Sequence, residues 1–507
     1  MLLASGLVLL IVRILFWFYQ TPVLGHDQYG LMWEARRFLS GAELYGSRLA
    51  EPNPPFVIWF SVVPVVLSTL FHVTETTAFH LLVFAMMAAS TLWSTRIARR
   101  YSSLSDFRIQ VLLALAIVVV ESPLRVLLFG QRENLLVICV IPYALAIALD
   151  VTRTLPLYER ITLGIVAAFG VCFKPHQVLV IVGIEIAVLA FDRSVRRLLS
   201  PELLAAILTC LLYIGAIAVF TPRYLTQLPL LRDTYWALGS HSILYLALHQ
   251  VPEMCAVLLI GVAAFGVLKK SRDRRAIGCL LSAGIFASVA YDIQHTDWGY
   301  HLYPAIAFIA LAAALLAVLA VRSFLTSHDA APSPLLFGVV VVVLCTFVIL
   351  EQRIKPDPAL PNDGGAFAGL TPGATVYIFS TGAEMFPVAY RRNLHWGSRF
   401  PCLWLLPSLI QNSPGGRALA AKDLPFKALS PDRLAELATM QRTEISADLD
   451  YWKPSVVLVQ RCPCDFIYSD RFDMLEWFSR SAGFQKSWSH YDKQYSIPGF
   501  DIYKRTH

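Results

Sequence analysis

About eleven apolar runs, most of them near the roughly 20 residues that a bilayer core requires, leave this chain few ways to fold. The first covers residues 2–19 and is interrupted only by Arg13; the others lie at about 77–95, 109–128, 134–150, 161–173, 177–191, 202–220, 253–268, 276–292, 303–321 and 334–350. The first run has no small-residue cleavage site, so it reads as a retained helix and not as a signal peptide. Of the 507 residues, 56% are hydrophobic and 15% charged, whereas soluble domains carry about 25% charged residues. A chain that is water-soluble throughout, disordered or collagen-like is excluded.

The charges divide the chain. The last 157 residues hold 18 Lys+Arg and 16 Asp+Glu, against 24 and 19 in the first 350. The reading is a mainly α, polytopic membrane domain over 1–350, a linker over 351–373 rich in Pro, Gly and Asp, and a small α/β domain over 374–507. Strand-like runs at 375–379 and 455–459 and helical patterns at 431–440 and 471–481 define that last domain.

The net charge of +7 does not point to nucleic acid, because the basic residues sit in short clusters between apolar runs, which is a topology signal. If Pro55–Phe71 is a juxtamembrane or re-entrant helix, the clusters at Arg96/Arg99/Arg100/Arg108, Arg153/Arg160, Arg193/Arg196/Arg197, Lys269/Lys270/Arg272/Arg274/Arg275 and Arg322 all fall on one side. That expectation puts the N-terminus in the cytoplasm and the C-terminal domain outside. Residues 26–55, 130–134, 174–176, 221–250 and 294–303 then share the outer face, where a site is expected.

Within the first of these loops, His26 and Asp27 follow the first span and precede an amphipathic helix. Tyr29, Met32, Trp33 and Phe38 are expected on lipid, and Glu34, Arg36 and Arg37 in water. A carboxylate at the mouth of a membrane cavity can take a proton from an acceptor hydroxyl; Asp27 can equally cap the helix that follows it. In the loop 294–304, His295, Asp297, Trp298, Tyr300 and His301 crowd one turn. They read as a site, as an interfacial aromatic belt or, for Asp297, as a turn residue. Two histidines and a carboxylate invite a divalent ion, but the spacing is not diagnostic, so no metal ligand is assigned and no cofactor is firmly expected. Glu121 and Arg125 can pair along one helix face, and Glu185 is a further acid inside a span. Residues 221–250, with Arg223, Arg232, Asp233, Tyr235 and Trp236, form a loop able to close over a lipid substrate. In the tail, a disulfide from Cys462 or Cys464 to Cys402 is the modest reading. Arg391, Arg392, His395, Trp396 and Arg399 read chiefly as solvated surface.

The order Asp27, Tyr29, Gly41 to Tyr45, then Pro54, Pro55, Phe56 and Trp59 resembles the opening of the GT-C glycosyltransferases. These are membrane enzymes using polyprenyl-phosphate sugars, among them protein O-mannosyltransferases and lipid A aminoarabinose transferases. Many relatives carry a second acid where this chain has Gln28. Phe129-Gly130-Gln131 with Asn134-Leu135-Leu136, and Phe173-Lys174-Pro175-His176, resemble signatures of the bacterial polyprenyl-phosphomannose-dependent branch. The resemblance covers roughly residues 1–350. It implies a multi-pass protein of the bacterial inner membrane that moves a sugar from a polyprenyl-phosphate donor to a hydroxyl of a glycan, glycolipid or protein. Asp27 would be the general base. Lys174, His176, His301, His295 and Arg132 would bind the donor phosphate, Lys174 alternatively being an interfacial snorkelling lysine and Arg132 a partner of Glu133. His26, Gln28, Tyr29, Gln131, Asp297, Trp298 and Tyr300 would line the pocket. The rival class is a transporter or flippase of lipid-linked saccharides, which would favour repeats and midplane polar groups. A membrane acyl- or phosphoglycerol-transferase finds no supporting catalytic arrangement.

Overall fold

The computed structural model describes residues 24–123, 128–239, 241–325, 364–383, 385–414, 428–467 and 472–506. The expected spans at 2–19 and 334–350, and Arg125, lie outside these residues.

The helices, in chain order, are α1 His26–Leu39, α2 Pro55–Phe71, α3 Glu75–Ala98, α4 Phe107–Glu121, α5 Arg132–Ala148, α6 Leu157–Phe173, α7 Val178–Asp192, α8 Pro201–Phe220, α9 Pro222–Thr234, α10 Ile243–His249, α11 Val251–Val267, α12 Ser271–Ile293 and α13 Tyr303–Leu325. The apolar runs expected between 77 and 321 are helical to within a few residues of their ends, except that the run at 109–128 is helical only as far as Glu121 among the described residues; not every helix is a full span. Among the described residues, five are long and apolar enough to cross a membrane, or six if the bent pair α10 and α11 counts as one. Of the expected eleven, two lie outside the described residues, and helices α4, α5 and α6, at 15, 17 and 17 residues, are at or below the lower end of the length that crosses a bilayer core.

Helix α5 is buried along its whole length, as a helix apolar on all sides must be, and α3, α4, α6, α7, α12 and α13 pack around it. Helix α8 is the opposite case: Leu208, Leu211, Leu212, Ile214 and Val219 are all exposed. A contiguous apolar face of that size marks contact with lipid and not water. The chain is a multi-pass membrane protein.

The two ends of the bundle differ chemically. At one end Arg96 pairs with Glu159 at 3.5 Å, Arg160 with Glu202 at 2.8 Å, Arg197 with Glu185 at 2.9 Å, and Arg275 with Asp192 at 2.9 Å. These arginines are drawn from the clusters expected on a single face. Residues 26–53, 130–134, 174–176 and 294–303 gather at the other end. Glu121 accepts from Ser90 Oγ at 2.5 Å and Thr91 Oγ1 at 3.1 Å on α3.

Over that second end lies a five-stranded sheet in the order β2-β1-β3-β5-β4. Its strands are β1 Thr375–Phe379, β2 His395–Trp396, β3 Val456–Gln460, β4 Tyr491–Ile497 and β5 Phe500–Arg505, accompanied by α14 Phe386–Arg391, α15 Leu406–Asn412, α16 Pro431–Trp452, α17 Met474–Phe478 and α18 Ala482–Trp488. Strand β1 pairs in parallel with β2 and β3, with Val376 opposite Val456, and β5 pairs antiparallel with β3 and β4. The central β1 and β3 are apolar and buried on both faces, as parallel strands usually are. The β4–β5 hairpin was not foreseen, because β4 is a polar edge strand exposed at every position between Tyr491 and Ile497.

Helix α1 lies between bundle and sheet, which overturns the expected lipid and water faces. The Tyr29 ring packs at a tilt against Tyr390, 4.9 Å between centroids, and Trp33 meets Phe386 edge-on at 5.5 Å. Glu34 and Arg37 are buried, whereas Phe38 is exposed. Arg37 is sandwiched between the rings of Trp33 and Trp452 at 4.2 and 4.3 Å, and donates to the carbonyls of Ser398, at 2.6 Å, and Trp396. An amphipathic pattern cannot distinguish lipid from the apolar surface of another part of the same chain. Here α1, α2, α3 and the sheet share one continuous apolar core.

Two expectations about the tail need correction. Cys462 is joined to Cys464, since the turn through Pro463 brings their Cα atoms to 4.3 Å; Cys402 lies on a separate loop. Trp396 and Arg399 are buried, Arg399 pairing with Asp448 at 3.0 Å and Glu444 at 3.2 Å, whereas Arg391 and Arg392 are exposed.

Candidate functional site

Asp27 does not cap α1. The cap position is Gly25, and Asp27 occupies the first turn, where a negative charge is favoured by the helix dipole. Its side chain turns instead to the start of α5. Oδ2 accepts from Gln131 Nε2 and from Arg132 Nη2, each at 3.3 Å, and Oδ1 lies 3.3 Å from His26 Nε2.

A glycine makes this meeting possible. Gly130 has φ +69, and a Cβ there would fall 2.3 Å from the Phe79 ring; only glycine fits. Asn134 Oδ1 accepts from Gly130 N at 2.9 Å and fixes the turn. Gln28 bridges the two segments: Nε2 donates to the Phe129 carbonyl at 3.2 Å and Oε1 accepts from Gln131 Nε2 at 3.4 Å. Burial alone would raise the Asp27 carboxyl. The adjoining His26, Arg132 and Gln131 outweigh that and hold it well below the usual carboxylate range, so it is ionised at every physiological pH.

From Arg132 the polar chain runs on. Arg132 Nη1 also donates to Asn53 Oδ1, and Asn53 N donates to Glu51 Oε1 at 2.9 Å. Glu133, the next residue of α5, pairs with Lys174, whose ammonium also lies 5.5 Å over the Tyr300 ring. Lys174 is therefore a buried, paired lysine and not a snorkelling one. Desolvation pulls it down to about 8, with Glu133 offsetting only part of the effect. His301 lies with Nε2 3.7 Å from Glu133 Oε1 and Nδ1 2.8 Å from Thr296 Oγ1.

These groups flank a cavity of about 260 Å³. His26, Asp27, Arg132, Trp298 and Tyr300 line it from the bundle, and Thr381, Trp404 and Phe466 close it from the sheet side. Gln28 and Gln131 border a smaller adjoining space. Other expected residues stand apart from the cavity. Tyr29 packs under the sheet, and His176 is half-buried in the turn after Lys174. His295 Nδ1 is 3.0 Å from the His241 carbonyl, and Asp297 accepts from Tyr291 at 2.7 Å and Tyr245 at 3.2 Å. His295, His301 and Asp297 thus point to three different partners. Among the described residues no group of three His, Cys, Asp or Glu could hold a metal ion.

Sequence reasoning missed Glu34, Glu51, Asn53 and Trp404 as cavity residues, and named Tyr235 only as part of the loop able to close over a lipid. Glu51 and Asn53 carry the one available signal, since they directly precede the Pro54-Pro55 pair. Tyr235 reaches the cavity because α9 is tied to the sheet side: Arg433 Nε bonds Asp233 Oδ2 at 3.0 Å and Ser408 Oγ donates to the Asp233 carbonyl at 3.2 Å.

Compared with solved structures, the chain matches that of ArnT from Cupriavidus metallidurans bound to undecaprenyl phosphate. The match has a TM-score of 0.52 at 15% identity and covers 99% of this chain and 98% of that one. The fold is the GT-C fold. The apo oligosaccharyltransferase of Archaeoglobus fulgidus is also similar, at a TM-score of 0.43 and 11% identity over 96% of this chain and 71% of that one. No sequence-family profile matches the chain, and neither does any curated protein. The likeness is thus one of GT-C architecture carried almost without sequence identity.

Proposed function

We propose that this protein is a glycosyltransferase that moves a sugar from a polyprenyl-phosphate donor to a hydroxyl of a glycan, glycolipid or protein. The reading places it in a bacterial inner membrane, with the N-terminus cytoplasmic and residues 374–507 as an extracytoplasmic domain over the site. One observation carries it: an ionised carboxylate, Asp27, and a guanidinium, Arg132, meet 3.3 Å apart in the wall of one cavity, on a fold shared with a protein crystallised with undecaprenyl phosphate.

The chemistry follows from that pair. The donor phosphate is drawn to Arg132 and to Lys174 behind it, which stabilise the polyprenyl phosphate as it leaves. Asp27 is a weak base while Arg132 holds it. As the phosphate takes a share of the guanidinium, the carboxylate regains basicity and accepts the proton of the acceptor hydroxyl. That hydroxyl attacks the anomeric carbon opposite the departing phosphate, which inverts the centre.

The test is a proteoliposome assay with a labelled polyprenyl-phosphate sugar. Label passing to an acceptor, with free polyprenyl phosphate left behind, supports the transferase. Intact donor moving between leaflets without cleavage supports the flippase.

A further inference from the structure

Two buried acids in the same cavity take no part in the chemistry above. Glu34 lies seven residues beyond Asp27 on α1, hence on the same helix face and about 10 Å further along it. Glu51 reaches it from the loop before α2. Both line the cavity, and they are only 1% and 3% exposed. Among the described residues neither forms an ion pair: the hydrogen bonds of Arg37 go to the carbonyls of Arg48, Ser398 and Trp396, and those of Arg132 to Asp27 and Asn53. Glu51 Oε1 is taken by Asn53, but Glu34 Oε2 is buried with no hydrogen-bond partner. A buried carboxyl oxygen left unsatisfied in a cavity wall is costly unless a ligand completes it.

We infer that Glu34 and Glu51 are the sugar-recognition subsite of this cavity and hold hydroxyl groups of an uncharged glycosyl residue while Arg132 holds its phosphate. This rests on the transferase reading. The chemistry favours a polyol over a cation. Burial and the facing Glu51 push the Glu34 carboxyl well above its usual range, which favours a neutral carboxyl able to donate as well as accept. A sugar hydroxyl can use both at once. The run Glu51, Asn53, Arg132, Asp27 then links the group that reads the sugar to the groups that cleave it.

The test uses the full-length protein in proteoliposomes, with binding read by quenching of cavity tryptophans Trp298 and Trp404. The probes are polyprenyl phosphate alone and the same lipid carrying a neutral hexose, a neutral pentose, an amino sugar or a hexuronate. Wild type is expected to bind a neutral-sugar lipid about 10- to 100-fold more tightly than bare polyprenyl phosphate. Glu34→Gln and Glu51→Gln should each erase most of that preference and leave the affinity for bare polyprenyl phosphate unchanged, which also reports that they are folded. Glu51→Asp should retain part of it. Preference for the amino sugar, a requirement for a divalent cation, or an unchanged preference in both Gln variants overturns the subsite. If wild type passes no label to an acceptor, the transferase reading fails; if transfer proceeds but both Gln variants keep the neutral-sugar preference, the subsite alone fails.

Discussion

Arg132 Nη2 stands 3.3 Å from Asp27 Oδ2, so the first turn of α1 and the first turn of α5, over a hundred residues apart, meet through one ion pair. The pair is 23% exposed on the aspartate side and 9% on the arginine side. It is open enough for a ligand to enter and dry enough for the interaction to matter.

Substituting Arg132 should affect two steps at once. Arg132→Gln leaves His26 beside Asp27 but removes the second charge that holds it low, so the Asp27 titration moves up toward the ordinary carboxylate range. Wild type should show no acidic limb from Asp27 in kcat/KM between pH 5 and 8, whereas Arg132→Gln should acquire one below about pH 5 as well as weaker donor binding. A pH profile of both proteins checks this. The associated stability has the same sign. A carboxylate depressed in the fold stabilises it above the unfolded pKa, and that contribution is lost as pH falls through the folded value.

Lys174 titrates at about 8, so its charge should disappear at alkaline pH and donor affinity with it. The prediction is an alkaline limb centred near 8 that is absent in Lys174→Arg, because a guanidinium stays charged there. Stability runs the other way. A lysine lowered in the fold binds fewer protons than in the unfolded chain, so its unfavourable contribution is relieved as pH rises through the folded value. Donor titrations and unfolding curves at stepped pH separate the two effects.

Gly130→Ala should destabilise the protein by about 1 to 3 kcal/mol and cost activity out of proportion, because the strained turn also aims Gln131 and Arg132. The check is thermal unfolding beside turnover. A variant with wild-type values in both would mean that the positive φ at Gly130 is incidental.

Arg37 is the bolt between α1 and the sheet. Arg37→Ala loses two carbonyl partners across the junction and two ring contacts, about 2 to 4 kcal/mol, and should expose the C-terminal sheet to limited proteolysis. Arg37→Lys should rescue little of this, since one ammonium cannot bridge two carbonyls while lying flat between two indoles.

How far the sequence reaches is visible in particular residues. Asp27, Arg132 and Tyr300 were legible because a charged or aromatic group beside an apolar run is conspicuous. Glu34 and Arg37 were misread because they sit among charged neighbours on a helix whose apolar side has two candidate partners, lipid and sheet, and periodicity does not choose between them. His295 and Asp297 looked like site residues from their density in one turn, yet local hydrogen bonds to His241, Tyr291 and Tyr245 point them elsewhere. Glu51 and Asn53 owe their positions to a long-range meeting with Arg132 that no local pattern announces. The helical core was legible from hydropathy, while β4, with its polar exposed edge, was not.

The central claim is that Asp27 takes the acceptor proton. Its most direct test is single-turnover transfer from a labelled polyprenyl-phosphate sugar by Asp27→Asn in proteoliposomes, with donor affinity measured in parallel. The account predicts that transfer falls by a factor of about 100 or more while donor binding is retained, since the amide keeps the shape but cannot accept the proton. Wild-type transfer by that variant would contradict it.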